Sequence, residues 1–341
     1  NSLTYDSNAV ISDEVKSQIP DNVQLVYWDY YTESKAEYDK ILNIHNQVKE
    51  NTWFAGGLLS WTGFSPHNAY SMRLNETALA SCRDNGVQDV FFCLWGDCGA
   101  ECSRFSLIPS LFHASELAKG NTNIECIKKK FYEKFAIAFD DFALLDLPGT
   151  PNGRDDLLCN AEKYLFYNDY FTGLMNHQIS GGEGQQFAEC AVALDKMCSN
   201  RQWGYIFETL KALCHVLEIK AELSLRTKKA YQEKDIAAIQ NLIGDYHEVY
   251  QRIKRFHQVY RQQWFLENKP HGFDVQDLRI GGLLARTESC MERLQSFCSG
   301  EISIIEELEE KQLDFFGTDG VRRQPDTMIT MWEYIASTNV F

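Results

Sequence analysis

The sequence predicts an α/β fold followed by an all-α region, and two observations lead to this prediction. In the first third of the chain, three short β-branched and aromatic runs alternate with segments of helical periodicity. Beyond about residue 121 the strand signals stop, and long stretches with apolar residues every three or four positions take over. We therefore predict an α/β domain over residues 1–119 and a helical domain over residues 120–341.

The α/β region reads as three strand–loop–helix units. The strands are expected at residues 23–28, 52–59 and 87–95. The helices after them are expected from about residue 34, at about 68–83 and at about 101–119. Ser34 and Glu37 have the spacing of a capping box. Units of this kind form parallel strands with crossover helices, and three parallel strands cannot cover both of their faces. Either the rest of the sheet comes from elsewhere, or these units end a barrel whose beginning is absent.

The helical region is dominated by one long amphipathic segment between residues 234 and 267. Asp274 is expected to cap a helix that begins at Val275. Further helices are predicted near residues 159–177, 184–199, 203–230 and 275–298. The apolar segment 327–341 is expected to pack back onto the domain.

Composition excludes several classes of protein. A net charge of −15 argues against a nucleic-acid partner, which requires clustered cations. No apolar run has the length of a membrane span. The eleven cysteines are scattered and odd in number, which is typical of reduced thiols in a cytoplasmic protein. The spacing of Cys93, Cys98 and Cys102 matches no zinc or iron–sulfur pattern, so neither a metal nor a cofactor is predicted. The N-terminus has no initiator Met, which suggests a piece of a longer protein.

The ends of the three strands have an unusual composition. Each places a tryptophan beside hydroxyls, carboxylates or glycines, and these tryptophans are Trp28, Trp61 and Trp95. Sugars need this pairing, because their C–H faces stack on aromatic rings while their hydroxyls need fixed polar partners. One such tryptophan alone is more typical of a core residue, whereas three at consecutive strand ends favour a carbohydrate site.

At these residues the sequence resembles glycoside hydrolase family 20, the β-N-acetylhexosaminidases, in the bacterial branch with a C-terminal helical domain. The stretch Tyr27-Trp28-Asp29 resembles the family's Tyr-x-Asp at the end of barrel strand six, and Leu94-Trp-Gly-Asp97 resembles its motif at strand eight. Residues 53–67 and 269–282 are similar to further segments of the same branch. The resemblance implies that residues 1–119 supply strands six to eight of a (β/α)8 TIM barrel.

The resemblance also implies a chemistry, namely retaining hydrolysis of terminal GlcNAc or GalNAc without metal or cofactor. The substrate's own acetamido oxygen attacks the anomeric carbon, and Tyr27 is expected to hold that oxygen in line. Asp29 and Asp97 are expected to accept hydrogen bonds from ring hydroxyls. Trp95 is expected to wall the acetamido pocket, and Trp61 is a candidate platform for the leaving sugar.

The family's catalytic Asp-Glu pair does not belong to these strands. The one Asp-Glu in the chain, Asp13-Glu14, has the context of a helix start. The chain alone is therefore expected to be inactive, with the missing N-terminal half-barrel as its partner. Glu101 is interpreted as an acid in the first turn of the helix over 101–119, with a reach into the pocket as the other possibility. A homodimer through the helical domain remains open.

Two other functions remain as alternatives. The first is a non-catalytic carbohydrate-binding or regulatory module that kept the aromatic rim, and the second is a helical interaction module. Loss of hexosamine recognition on substitution of Trp95 or Asp97 distinguishes the sugar-binding functions from the interaction module.

Overall fold

A computed structural model describes residues 12–150 and 160–312, which form two compact units. The first contains residues 12–59, 68–94 and 108–136, and the second contains residues 60–67, 95–107 and the described residues from 137 onward. The domain limits predicted between residues 119 and 120 stay a prediction. The apolar segment 327–341 lies outside the described residues.

The first unit contains a parallel sheet with the strand order β1-β2-β3. The predicted strands are confirmed in shorter form, as β1 (Val26–Trp28), β2 (Trp53–Gly57) and β3 (Val90–Cys93). Their parallel arrangement, with two consecutive crossovers, is also confirmed. The (β/α)8 barrel to which this sheet was expected to belong stays a prediction.

Five helices accompany the sheet: α1 (Asp13–Ser17), α2 (Lys35–Val48), α3 (Asn68–Asp84), α4 (Ile108–Ala118) and α5 (Ile124–Phe135). The Ser34 cap is confirmed, since its hydroxyl accepts a hydrogen bond from the Glu37 amide at 3.4 Å. The helix predicted from residue 101 is wrong in its first two turns. Short 3₁₀ turns at Asp97–Gly99 and Arg104–Leu107 precede α4 instead.

The two faces of the sheet have different environments. Tyr27 and Phe54 are buried in a cluster with Tyr38, Leu42 and other residues of α2 and α3. Alternate strand residues point to the opposite face, where Trp28, Trp53 and Phe91 are 55%, 38% and 43% exposed. The faces of parallel sheets are normally covered, whereas these three rings are exposed.

The second unit is helical. Its helices are α6 (Phe139–Ala143), α7 (Ala161–Tyr167), α8 (Glu183–Asp195), α9 (Gly204–Lys220), α10 (Leu223–Gln232), α11 (Ile236–Glu267), α12 (Phe273–Ser299) and α13 (Glu306–Glu309). The long helix predicted at 234–267 is confirmed as α11, which packs against α9 and α12. The fold class of a parallel α/β segment followed by a helical region is thus confirmed.

Three helix predictions in this unit are wrong in detail. The helix expected at 203–230 is divided into α9 and α10, which are separated at residues 221 and 222. The helix expected at 159–177 ends at Tyr167, because Asp169 accepts hydrogen bonds from the amides of Phe171 and Thr172 and turns the chain. The helix expected from Val275 begins at Phe273, and its N-cap is a glycine in the left-handed region. The Asp274 carboxylate instead accepts a hydrogen bond from the amide of that glycine at 3.0 Å.

Among the helices that the structure describes, none combines the length and the apolar character that crossing a bilayer requires. Nine cysteines whose side chains the structure describes are free thiols, and the prediction of a reducing location stays a prediction. The same ranges contain no group of three or more His, Cys, Asp or Glu side chains placed to hold a metal ion.

Candidate functional site

The candidate residues fall into both compact units, Tyr27 and Asp29 into the first and Trp61, Trp95 and Asp97 into the second. At the end of β1, the Tyr27 side chain points toward the helices and is 3% exposed. Its hydroxyl donates a hydrogen bond to Asp29 Oδ2 at 3.1 Å. The hydroxyl could therefore donate a hydrogen bond to a sugar oxygen only if its bond to Asp29 opens.

Asp29 is the centre of a local hydrogen-bond network. Its Oδ1 accepts from the amides of Tyr31 and Thr32 at 2.9 and 2.8 Å, and its Oδ2 accepts from the Thr32 hydroxyl at 2.8 Å. The Tyr38 hydroxyl lies 3.5 Å from Oδ1. Burial, and then the charge of Asp29, raises the pKa of Tyr38. The network fixes the turn after β1 and leaves Asp29 half-buried.

The second candidate segment is loop 60–67, which follows β2 and belongs to the helical unit. Trp61 is 4% exposed, so the loop does not present it to solvent. Phe64 makes edge contacts with rings of α7 and α11, including those of Phe166, Phe256 and Tyr260. Glu162 of α7 accepts hydrogen bonds from the amides of Phe64 and Ser65 at 2.9 and 3.1 Å.

The third candidate segment is loop 95–107, which follows β3 and also belongs to the helical unit. Trp95 is 49% exposed and Asp97 is exposed, so both are accessible to a ligand. The Trp95 carbonyl accepts hydrogen bonds from the Ser60 hydroxyl at 3.0 Å and from Arg104 Nη1 at 2.6 Å. Arg104 also donates to the Ser60 oxygen at 2.7 Å, which ties this loop to loop 60–67.

Glu101 is not the helix-start acid that the sequence suggested, and a reach into the sugar pocket stays a prediction. Its side chain is 1% exposed and forms ion pairs with Lys163 of α7 and with Arg279 of α12, the latter at 3.1 Å. The Tyr260 hydroxyl donates to its carbonyl at 3.2 Å. The correction has a physical reason: a buried carboxylate requires cationic partners, and these partners are far away in sequence.

Sequence reasoning missed the residues that hold the two loops, namely Arg104, Glu162, Lys163 and Arg279. Glu162 and Lys163 lie in a segment that reads as an ordinary amphipathic helix. Only the structure shows that both are buried. The signal that could have found them is the charged pair within Asn160-Ala-Glu-Lys-Tyr-Leu-Phe-Tyr167, an otherwise apolar stretch.

The helical unit also contains an open cleft of about 400 Å³ between α9 and α11. Its cations are matched by carboxylates, with Lys211 and Arg255 on Glu208 and with Arg252 on Glu218. The residues that line the cleft include no Trp, Tyr or Phe ring for a sugar to stack on. It therefore has the character of a charged surface groove rather than of a carbohydrate pocket.

Comparison with known proteins places the helical region in a family. A search of curated proteins returns no significant match. The profile of the glycoside hydrolase 20C C-terminal domain matches residues 140–326, which is more than half of the chain. The recognition of glycoside hydrolase family 20 is thereby confirmed, and this chain belongs to the family defined by the glycoside hydrolase 20C C-terminal domain.

Proposed function

We propose that this chain is the C-terminal part of a retaining exo-β-N-acetylhexosaminidase that removes terminal GlcNAc or GalNAc from oligosaccharides. The observation that carries the proposal is the loop after β3, where the half-exposed Trp95 and the exposed Asp97 stand on a backbone held by buried charges. An accessible indole beside an accessible carboxylate is the pairing that a sugar ring requires. The family match of the helical region supports the same assignment.

The first unit is proposed to complete a (β/α)8 barrel with polypeptide outside the sequence given. The exposed aromatic face formed by Trp28, Trp53 and Phe91 supports this proposal, because the interior of such a barrel is packed with side chains. The substrate-assisted mechanism needs an Asp to orient the acetamide and a Glu to protonate the leaving oxygen. Neither role has a candidate among the strand ends of this chain, so the isolated chain is proposed to be inactive.

The chain's own residues would then bind and orient the substrate. Trp95 would form a wall of the acetamido pocket, and Asp97 and Asp29 would accept hydrogen bonds from ring hydroxyls. Tyr27 would hold the acetamido oxygen in line for attack, which requires its side chain to shift out of the helix-side cluster and its hydroxyl to exchange Asp29 for the substrate. Trp61, the candidate platform for the leaving sugar, would have to act from below the surface of its loop, because its indole is buried. The free thiols support a reducing, cytoplasmic location.

The test is turnover of chromogenic β-N-acetylglucosaminide and β-N-acetylgalactosaminide by the full-length protein and its variants. Asp97→Ala should lower kcat/KM by about 10- to 150-fold, because charge-assisted hydrogen bonds are worth about 1.5–3 kcal/mol. Asp195→Ala, which removes an exposed carboxylate on α8, is the matched control and should leave turnover unchanged. Absence of both turnover and hexosamine binding in the wild-type protein would overturn the proposal.

A non-catalytic carbohydrate-binding module is the second candidate. The observation that favours it is that the one Asp-Glu of the chain, Asp13-Glu14, starts helix α1 rather than ending a strand. Under this function the full-length protein would bind N-acetylhexosamine through Trp95 and Asp97 without hydrolysing it. Binding without turnover therefore distinguishes the two candidates.

A further inference from the structure

We propose that helix α7 is a positioning element for the sugar site, with Glu162 and Lys163 as positioning residues that fix the two loops after β2 and β3. This inference rests on the proposed function, since the loops carry the candidate residues Trp61, Trp95 and Asp97. All of the contacts that support it lie within the second compact unit.

Glu162 and Asn160 hold loop 60–67. The carboxylate Oε1 of Glu162 accepts three hydrogen bonds, from the amides of Phe64 and Ser65 and from the Ser65 hydroxyl at 2.8 Å. The Asn160 side chain donates to the Thr62 carbonyl at 2.6 Å. Gly63 permits this approach, because a Cβ at that position would lie 2.3 Å from Glu162 Oε1. Burial raises the pKa of Glu162, and the hydrogen bonds from Ser65 oppose that shift.

Lys163 holds loop 95–107 from the adjacent position on the helix. Its ammonium pairs with the Glu101 carboxylate, and Arg279 pairs with the other oxygen of the same group. Gln276 of α12 adds a hydrogen bond to the Gly99 carbonyl at 2.9 Å. The segment between Asp97 and Glu101 is therefore fixed from its C-terminal side by α7 and α12.

The α7 helix is itself fixed at its C-terminal end. The Lys220 ammonium donates to the carbonyls of Leu165 and Asn168 at 3.1 and 2.6 Å. It also lies 4.5 Å from the centre of the Tyr170 ring, a cation–π geometry. A rigid α7 can transmit position to both loops, since its N-terminal half binds them and its C-terminal half is held to α9.

The burial of charged groups on α7 favours a positioning role over a purely stabilising one. Glu162 and Lys163 are consecutive, oppositely charged and almost fully buried, at 0% and 1% exposure. Apolar residues of similar volume often stabilise a core as well as a buried ion pair does. A directional set of charge-assisted bonds gives fixed geometry, which a sugar site needs in the loops that carry its side chains.

The experiment compares Glu162→Gln and Lys163→Met with wild type in the full-length protein. KM for the chromogenic glucosaminide and the dissociation constant for free GlcNAc should each rise about ten-fold, which corresponds to about 1.4 kcal/mol. Lys163→Arg should restore the sugar affinity, because it retains the charge. Two matched controls change comparable groups away from the loops. Glu222→Gln alters a carboxylate that accepts hydrogen bonds from the amides of Gly182 and Gly184. Arg286→Met removes the ion pair with Asp169.

The outcomes separate this inference from the proposed function. Loss of sugar affinity in the α7 variants, at a thermal stability equal to that of the controls, supports the positioning role. An active wild-type protein whose α7 variants lose only thermal stability, with KM and GlcNAc affinity unchanged, overturns the positioning role alone. A wild-type protein that neither hydrolyses nor binds the sugar overturns the proposed function and the positioning role together.

Discussion

The turn after β1 and loop 95–107 are fixed in different ways. In the turn, Asp29 bonds to residues between two and nine positions away in the sequence. In the loop, Glu101 bonds to Tyr167 and Arg279, which are 66 and 178 positions away. The turn after β1 is therefore shaped by its own sequence, whereas loop 95–107 depends on the helical domain. Substitutions should therefore have local effects at the turn and domain-wide effects at the loop.

The largest effect is expected from Glu101→Ala. The variant removes the buried carboxylate that Lys163 and Arg279 share, so the free energy of unfolding should fall by about 3–5 kcal/mol. Glu116→Ala is the matched control in the first unit, because its lysine partners are 65% and 47% exposed and water can replace the bond. The control variant should lose about 1 kcal/mol of unfolding free energy. Urea denaturation at pH 7 measures both, and equal losses would contradict the comparison.

The anchor of α7 predicts a pH dependence of stability. Burial lowers the pKa of Lys220 to about 7. Because the unfolded chain keeps this proton up to its normal pKa of about 10.4, the free energy of unfolding should rise between pH 7 and 9, by up to about 1.4 kcal/mol per pH unit. Urea denaturation across this range should show a shallower rise for Lys220→Met than for Lys229→Met, an exposed lysine on α10. Identical slopes of unfolding free energy against pH for the two variants would contradict the prediction.

Close approach of the backbone should make Gly99→Ala costly. Gly99 has a φ of 110°, and a Cβ there would lie 2.5 Å from Arg279 Nη1, which would disturb the pairing with Glu101. The expected loss is about 2 kcal/mol of unfolding free energy. Gly120→Ala is the control, since its φ of 84° is also left-handed but nothing lies within 4 Å of the added Cβ. A control that loses as much as Gly99→Ala would show that backbone strain alone sets the cost.

The smallest effect is expected from Asp29→Asn. The amide retains one acceptor oxygen for the turn after β1, so the loss should be about 1 kcal/mol. Thermal or urea denaturation of the protein gives the value. A loss as large as that of Glu101→Ala would show that the turn also depends on long-range contacts.

Local signals explain which parts of the fold could be predicted. The Ser34 cap, the three parallel strands and the 32-residue helix α11 follow from turn chemistry and periodicity. The helix expected from residue 101 was wrong because Glu101 has buried partners that no local pattern shows. The end of α7 was missed because the turn at Asp169 interrupts an apolar run.

Sequence motifs predict which residues belong to the candidate site, but they do not predict which of these side chains are buried. Trp95 and Asp97 are accessible, as a ligand-binding role requires. Tyr27 and Trp61 carry the same aromatic signal in the sequence but lie buried, Tyr27 in the cluster between the sheet and helices α2 and α3 and Trp61 within its loop. Sequence alone gives residue types and spacing, whereas burial depends on which elements pack together.

We expect the helical domain to shape the sugar site, and a double-mutant cycle tests this claim. GlcNAc affinity of the full-length protein is measured by calorimetry for wild type, Trp95→Ala, Lys163→Met and the double variant. If Lys163 acts by positioning the loop of Trp95, the double variant should bind about as weakly as Trp95→Ala alone. Independent losses that add in the double variant would contradict the claim.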